Sequence, residues 1–527
     1  MPLLRIAAVA VLIGFPAVAA AAAEPLHSVI DRELKSAWAR EKIAPAPRAT
    51  DSAFLRRVYL DLLGAIPTYQ ETTAFLADTD ARKREKLIDK LLADPRFATG
   101  QAQVWDQVLF GRHPANYDAV HKRPAFQGWL ARQFADNVPY DRWVKELLLA
   151  ETPGSEMFYV QFRGQPEEMT VAISKLFLGT QLQCARCHDH PYEKWTQKDF
   201  YGLTGFFVRL VVQESGSGAK RTFTIGEKGT GEVLFSGSVK EQRPGRKGEP
   251  VKPKFLGGKL LEEPPTPKGF KEPKSAKSLP KPAFSRKAKL AEWVASGDNP
   301  YLAKAVANRV WSQFMGRGLI HPIDDIRADS EASHPVLLKA ITDGLAEHRF
   351  DLKWLIREIV LSDGYQLAMH GPSKEALPKW FEQARIRPLS AEELVAAMRV
   401  ATMYDQPGDK KPEITWDYFT RYFGEPVNGL GDFQGSLSEH LFWNNSEHVR
   451  RFIQRKKGNL IDTLIASKEP VDKKVERLFL AIYQRLPNPT EADLIAKHLQ
   501  LKDDKPEALY EEAIWALINS SEFRFNH

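Results

Sequence analysis

Phe54, Val58, Leu62 and Leu63 recur at three- and four-residue spacing, which lays an apolar stripe along one side of a helix, and Gly64 and Pro67 then end it. The same periodicity fills most of residues 27–150 and predicts further helices over about 70–78, 83–93, 97–110, 124–135 and 140–149. Trp105, Trp129 and Trp143 each fall on an apolar face, the position of core filler. Another helix is predicted from Glu167 to Leu178. From Phe206 the period changes to short β-type runs, Val208–Val212, Arg221–Ile225 and Glu232–Phe235, parted by Gly and Ser. Glu241 to Pro282 then carries nine prolines and few apolar residues, the composition of a tether belonging to neither core.

Helical periodicity resumes at Ser285. Asn299 and Pro300 predict the cap and first turn of a helix from Tyr301 to Met315, stopped by Gly316. Ser390 with Glu393, and Thr490 with Asp493, have capping-box spacing, and a looser stretch runs over about 404–440. The pattern therefore predicts a mainly α protein. Two helical modules, 24–205 and 286–527, flank a small β insertion at 206–240 and a basic Pro/Lys-rich linker at 241–285. One internal echo stands out. Arg57-Val58-Tyr59-Leu60 with Ile66-Pro67 and Glu71 matches Arg477-Leu478-Phe479-Leu480 with Leu486-Pro487 and Glu491, which suggests related helical hairpins or a chance likeness of amphipathic helices.

Charge adds little. The 527 residues have a net charge of +7, but 241–289 hold 14 Lys and Arg against 5 Asp and Glu; with +9 there, the rest is 7 − 9 = −2. The body is not basic, and no nucleic-acid partner is expected. Met1–Ala23 reads as a secretory signal: Arg5, an apolar run over Ile6–Val18, then small Ala21-Ala22-Ala23. Cleavage there leaves no transmembrane anchor, and the expected location is secreted or periplasmic.

In that setting the only cysteines form Cys184-Ala185-Arg186-Cys187-His188. C-x-x-C-H is the attachment pattern for haem c: two thiols add to the two vinyl groups, and the adjacent imidazole is the proximal iron ligand. A chance occurrence at this composition is on the order of one in ten thousand. Three readings share the motif. One is covalent haem held by Cys184, Cys187 and His188. The second is a structural or redox disulfide. The third is a metal site in which His190 joins the other three, although four ligands within seven residues crowd a tetrahedral ion. Under the haem reading no methionine lies between His188 and Met315, so a distal ligand would come from Met157, Met169, His113, His121 or a distant histidine, or be absent. Met169 sits on an apolar helix face suited to packing, and His190, before Pro191, suits a hydrogen-bonded loop. Asp324, Asp325 and Asp329 with His321 and His334 make a polar loop read as solvated caps rather than a cation site, and Asn444-Asn445-Ser446 is a glycosylation sequon.

The run from Phe177 through Cys184 and His188 to Pro191, with Trp195-Thr196-Gln197 and Phe200-Tyr201-Gly202-Leu203, resembles the planctomycete-type cytochrome c domain family. A second module resembles 286–527 through Asn299-Pro300-Tyr301, Asn308-Arg309-Val310-Trp311, Phe314–Leu319, Ser333-His334-Pro335 and Asn519–Phe523. The resemblance implies an exported helical protein used in redox chemistry or in degrading external polymers, and it supplies no catalytic residue. Relatives often add an N-terminal cytochrome domain that this sequence lacks, which implies a separate redox partner protein. They also often carry cysteines where Asp432-Phe433-Gln434-Gly435 has none. The leading expectation is a haem c electron-transfer or oxidoreductive protein. The alternative is a non-enzymatic surface or scaffold protein whose C-x-x-C is a disulfide or metal site.

Overall fold

The computed structural model describes residues 24–111, 123–235, 248–266, 270, 282–327, 330–372, 377–405, 419, 422–423, 437–501 and 505–527. Residues 1–23, expected to be a secretory signal, His113, His121, Asp329 and residues 430–436 therefore lie outside the described residues, as does most of 404–440.

The fold is mainly α. The helices are α1 (Leu26–Glu41), α2 (Asp51–Leu63), α3 (Tyr69–Ala77), α4 (Lys83–Ala93), α5 (Pro95–Phe110), α6 (Arg123–Ala135), α7 (Tyr140–Leu149), α8 (Met157–Val160), α9 (Pro166–Phe177) and α10 (Gln197–Thr204). After the strands come α11 (Arg286–Val294), α12 (Leu302–Met315), α13 (Pro335–Glu347), α14 (Leu352–Leu361) and α15 (Ala391–Ala401). The last are α16 (Leu437–Asn445), α17 (Glu447–Ile453), α18 (Leu460–Ala466), α19 (Val471–Ile482), α20 (Pro489–Leu499), α21 (Pro506–Ile518) and α22 (Ser521–Arg524). Three small antiparallel pairs join β1 (Leu210–Ser215) to β2 (Thr222–Glu227), β3 (Val233–Phe235) to β4 (Glu249–Val251), and β5 (Arg387–Pro388) to β6 (Phe525–Asn526).

The helix ends follow their punctuation. Thr50 accepts a hydrogen bond from Ala53 N at the start of α2, and Gly64, at φ 68°, ends it. Ser390 and Glu393 form the expected capping box on α15. Two caps differ from expectation. Asn299 does not cap α12: its Oδ1 accepts from Tyr301 N at 2.9 Å while its Nδ2 donates to Val294 O, so it closes the preceding turn instead. The capping box of α20 is Asn488 with Glu491, and Thr490 lies inside the helix. The echoed segments are both hairpins of a helix, a turn and a helix opened by a capping box, Thr68–Glu71 in one and Asn488–Glu491 in the other.

Burial sorts the molecule into two apolar cores. The larger combines residues of 26–261 with residues of 290–381, so α11 to α14 pack with the N-terminal helices rather than with the rest of the C-terminal half. The smaller gathers residues of 389–523 and takes Leu60 and Ile66 from the N-terminal end. Helix α2 is buried on every side, as a helix shared between cores must be. Its two arginines divide the work. Arg56 Nη1 donates to Gln484 Oε1 at 2.7 Å and Nη2 to Phe523 O at 2.8 Å, on the side of the smaller core. Arg57 Nη1 donates to Tyr365 O at 2.7 Å and Leu367 O at 2.9 Å, on the side of the larger.

The linker is where composition misleads. Residues 236–247, 267–269 and 271–281 lie outside the described residues, but 248–266 are not a tether. β4 pairs with β3, Leu256 and Leu261 are buried in the larger core, and Phe255 packs between the rings of Phe206 and Trp293. Arg286, buried at the start of α11, binds Glu232 beside β3 and Glu263 in this strap, and donates to Gly205 O at 2.9 Å. Glu227, at the end of β2, accepts from Arg286 N at 2.7 Å and so caps α11. Three apolar side chains and one buried ionic cluster hold a segment whose average composition reads as solvated.

Candidate functional site

The C-x-x-C-H turn follows α9. Gly179, at φ 62°, turns the chain, and its carbonyl accepts from Ile326 N at 2.6 Å. Gln181 Nε2 donates to Asp324 Oδ1 at 3.2 Å, and Lys175 Nζ pairs with Asp324 at 3.1 Å. Asp324 is thus buried as a support for the turn, not solvated as a cap.

Residues Gln183–Arg186 form a single 3₁₀ turn. Its side chains sort by burial: Leu182 and Ala185 are wholly buried, Cys184 and His188 are exposed and Cys187 is half-buried. Both cysteines are free thiols. Helix α10 braces the turn from below. Gln197 Nε2 and the Tyr201 hydroxyl donate to Arg186 O at 3.2 and 3.0 Å, and Asp189 Oδ1 accepts from Gln197 N at 2.8 Å. Thr196 and Asp199 cap α10, and the strap reaches the same point through Lys254 Nζ to Asp199 Oδ1 at 2.7 Å.

His188 Nδ1 lies 2.7 Å from Asp189 O. A carbonyl can only accept, so Nδ1 donates here and Nε2 is left as the ring nitrogen for a ligand bond. His190 is a loop residue, as expected: its N donates to Trp195 O at 2.8 Å and its Nδ1 accepts from Tyr192 N at 3.3 Å. Among the described residues no three His, Cys, Asp or Glu side chains are grouped to hold a metal ion. Met157 and Met169 are 1% and 2% exposed and packed in the larger core. The two thiols and the adjacent imidazole are of the residue types that would hold a covalently attached haem.

A second place went unnoticed in the sequence. Between the cores, Asp61 accepts from Arg387 Nη2 at 2.9 Å, Asn526 Nδ2 at 2.8 Å and the Tyr365 hydroxyl at 2.8 Å. Arg387 also grips Glu393 with both terminal nitrogens, at 2.8 and 2.7 Å. Burial raises the Asp61 pKa, against the pull of Arg387. This network borders a cleft. Asp61 lies hundreds of positions from its partners, and the only sequence signal was a pair of arginines inside an apolar helix.

Residues 29–211 match the family model PSCyt2, described as a protein of unknown function (DUF1549), and residues 286–417 match PSD1, a protein of unknown function (DUF1553). The two matched regions lie one after the other along the chain and leave residues 212–285 and 418–527 outside them. The first module contains the C-x-x-C-H turn, and the second begins at α11 and runs from the larger core into the smaller. No curated protein and no solved structure matches the chain.

Proposed function

We propose that the chain is an exported c-type haem protein serving electron transfer or an oxidoreduction in which its partner is another protein. Cys184 and Cys187 would hold the group by thioether bonds, and His188 would bind its iron through Nε2. Once bound, the group supplies one-electron exchange. The chain's own part is positional. Buried Leu182 and Ala185 fix the turn, the α10 brace sets its height, and the Asp189 carbonyl holds the His188 proton on Nδ1. The observation that carries this reading is the turn itself, which presents Cys184, Cys187 and the His188 ring, held at Nδ1, from a braced loop. Burial of Met157 and Met169 in the core favours a histidine, water or nothing on the opposite face. Export rests on the signal-like segment Met1–Ala23, and none of the described helices is long and apolar enough to cross a membrane.

The test is peroxidase staining of a denaturing gel after expression with c-type maturation. A stained band at the mature mass is expected, lost in Cys184→Ala/Cys187→Ala, with iron ligation altered in His188→Ala and the spectrum unchanged in Met169→Ala. An unstained band together with a Cys184–Cys187 disulfide by mass would favour a non-enzymatic surface or scaffold role.

A further inference from the structure

The cleft between the two cores has a volume of about 320 Å³, near the lower end of small-molecule sites at roughly 300–1,000 Å³. Leu60, Val104, Phe314 and Met315 give it apolar walls. Three buried residues of its lining also carry polar atoms with no hydrogen-bond partner, Arg57 Nη2, Ser312 Oγ and Asn526 Oδ1, in side chains of residues only 5%, 1% and 3% exposed. A buried polar atom without a partner destabilises a folded protein, so three beside one cleft ask for an explanation.

The charges around the cleft do not cancel. Arg387 is matched by Asp61 and Glu393, Arg385 Nη2 by Glu382 at 3.1 Å, and Glu392 accepts from Gln107 at 3.3 Å. Arg317 has no acidic partner among the described residues, and both burial and the neighbouring Arg385 lower its pKa. Both arginines line the cleft, and the chain approaches Arg385 beside Arg317 for a structural reason. Gly316 ends α12 at φ 76° and lies against Arg385, where a Cβ would come within 2.8 Å of the Arg385 Cβ. Arg385 Nε is also without a partner.

We propose that this cleft binds a small organic carboxylate, taken by the guanidiniums of Arg317 and Arg385, with ligand oxygens accepting from Arg57 Nη2 and Ser312 Oγ and a ligand hydroxyl donating to Asn526 Oδ1. Guanidinium forks match a carboxylate in plane and spacing. The apolar walls call for a carbon skeleton rather than a bare inorganic anion. Asp61, Glu392 and Glu393 close by disfavour a densely charged ligand such as phosphate. The site is independent of the haem turn.

Calorimetric titration and thermal unfolding of the full mature protein test this, with gluconate, succinate, sorbitol and inorganic phosphate as probes at constant ionic strength. Saturable binding of gluconate or succinate with a rise in Tm is expected, while sorbitol, the uncharged counterpart of gluconate, does not bind. Phosphate should be weaker by at least about tenfold, Arg317→Gln should weaken carboxylate binding by at least about tenfold, and Arg317→Lys should restore part of it. Because Arg317 is half-buried at a helix end, retained helical circular dichroism marks the variant as folded, and Arg385→Gln serves as the second variant. The proposal is overturned if neither carboxylate saturates below about 10 mM, if sorbitol or phosphate binds as well as they do, or if both arginine variants bind unchanged.

Discussion

Arg387 shows how a single side chain can hold the junction between the cores. It is the only cation hydrogen-bonded to Asp61 among the described residues, and it also neutralises Glu393. Arg387→Ala would leave two carboxylates, 6% and 11% exposed, facing each other without a cation. The expected loss is about 2–4 kcal/mol by urea unfolding, reduced from the value for a fully buried pair because Arg387 keeps 25% of its side chain exposed. A change within experimental error would mean that water compensates the pair.

Two histidines set a pH dependence. His334, between the rings of Trp380 and Phe381, and His527, beside Arg56, are both pushed down to about 4, mainly by burial. An unfolded histidine titrates near 6.5. Their contribution is therefore complete above about pH 6.5 and falls as pH drops toward about 4, because only the unfolded chain takes up protons in that window. Unfolding free energies at pH 7 and pH 5 should differ, with the acid value lower, and His334→Gln should flatten that difference. An unchanged slope in the variant would remove His334 from the account.

At the scale of elements, the strap at 248–266 makes the clearest claim. Leu256→Ala should cost about 2–4 kcal/mol, since the side chain is 2% exposed in the larger core. Limited proteolysis should spare Lys252 and Lys254, which sit in a paired and packed stretch, and cleavage there as fast as in denatured protein would contradict the packing. The sequence read helices well wherever Gly64 or Gly316 punctuated them, because a glycine acts locally. It misplaced the caps at Asn299 and Thr490, where a polar side chain had several backbone groups within reach. It missed the strap because nine prolines and many lysines outweighed Phe255, Leu256 and Leu261 in composition, although burial follows the apolar few. The C-x-x-C-H turn was legible because its residues are contiguous. The cleft was not, because Arg57, Ser312 and Asn526 meet only through tertiary packing.

For the molecule as a whole, the two cores share too much to unfold apart. Helix α2 belongs to both, Arg56 and Arg57 tie it in opposite directions, and β5 pairs with β6 across the junction. Scanning calorimetry should therefore give a single transition, and two resolved peaks would show the cores to be separate cooperative units.

The packing of α1 also sets a timetable. Its buried face, Ile30, Leu34 and Trp38, rests against α13 and α14, which begin roughly 300 residues later. At about 5–20 residues per second, a ribosome needs on the order of 15–60 seconds to supply those partners. Throughout that interval the first helix has an oily side and nothing native to cover it, so a growing chain needs a holdase at its leading end long before it needs help anywhere else.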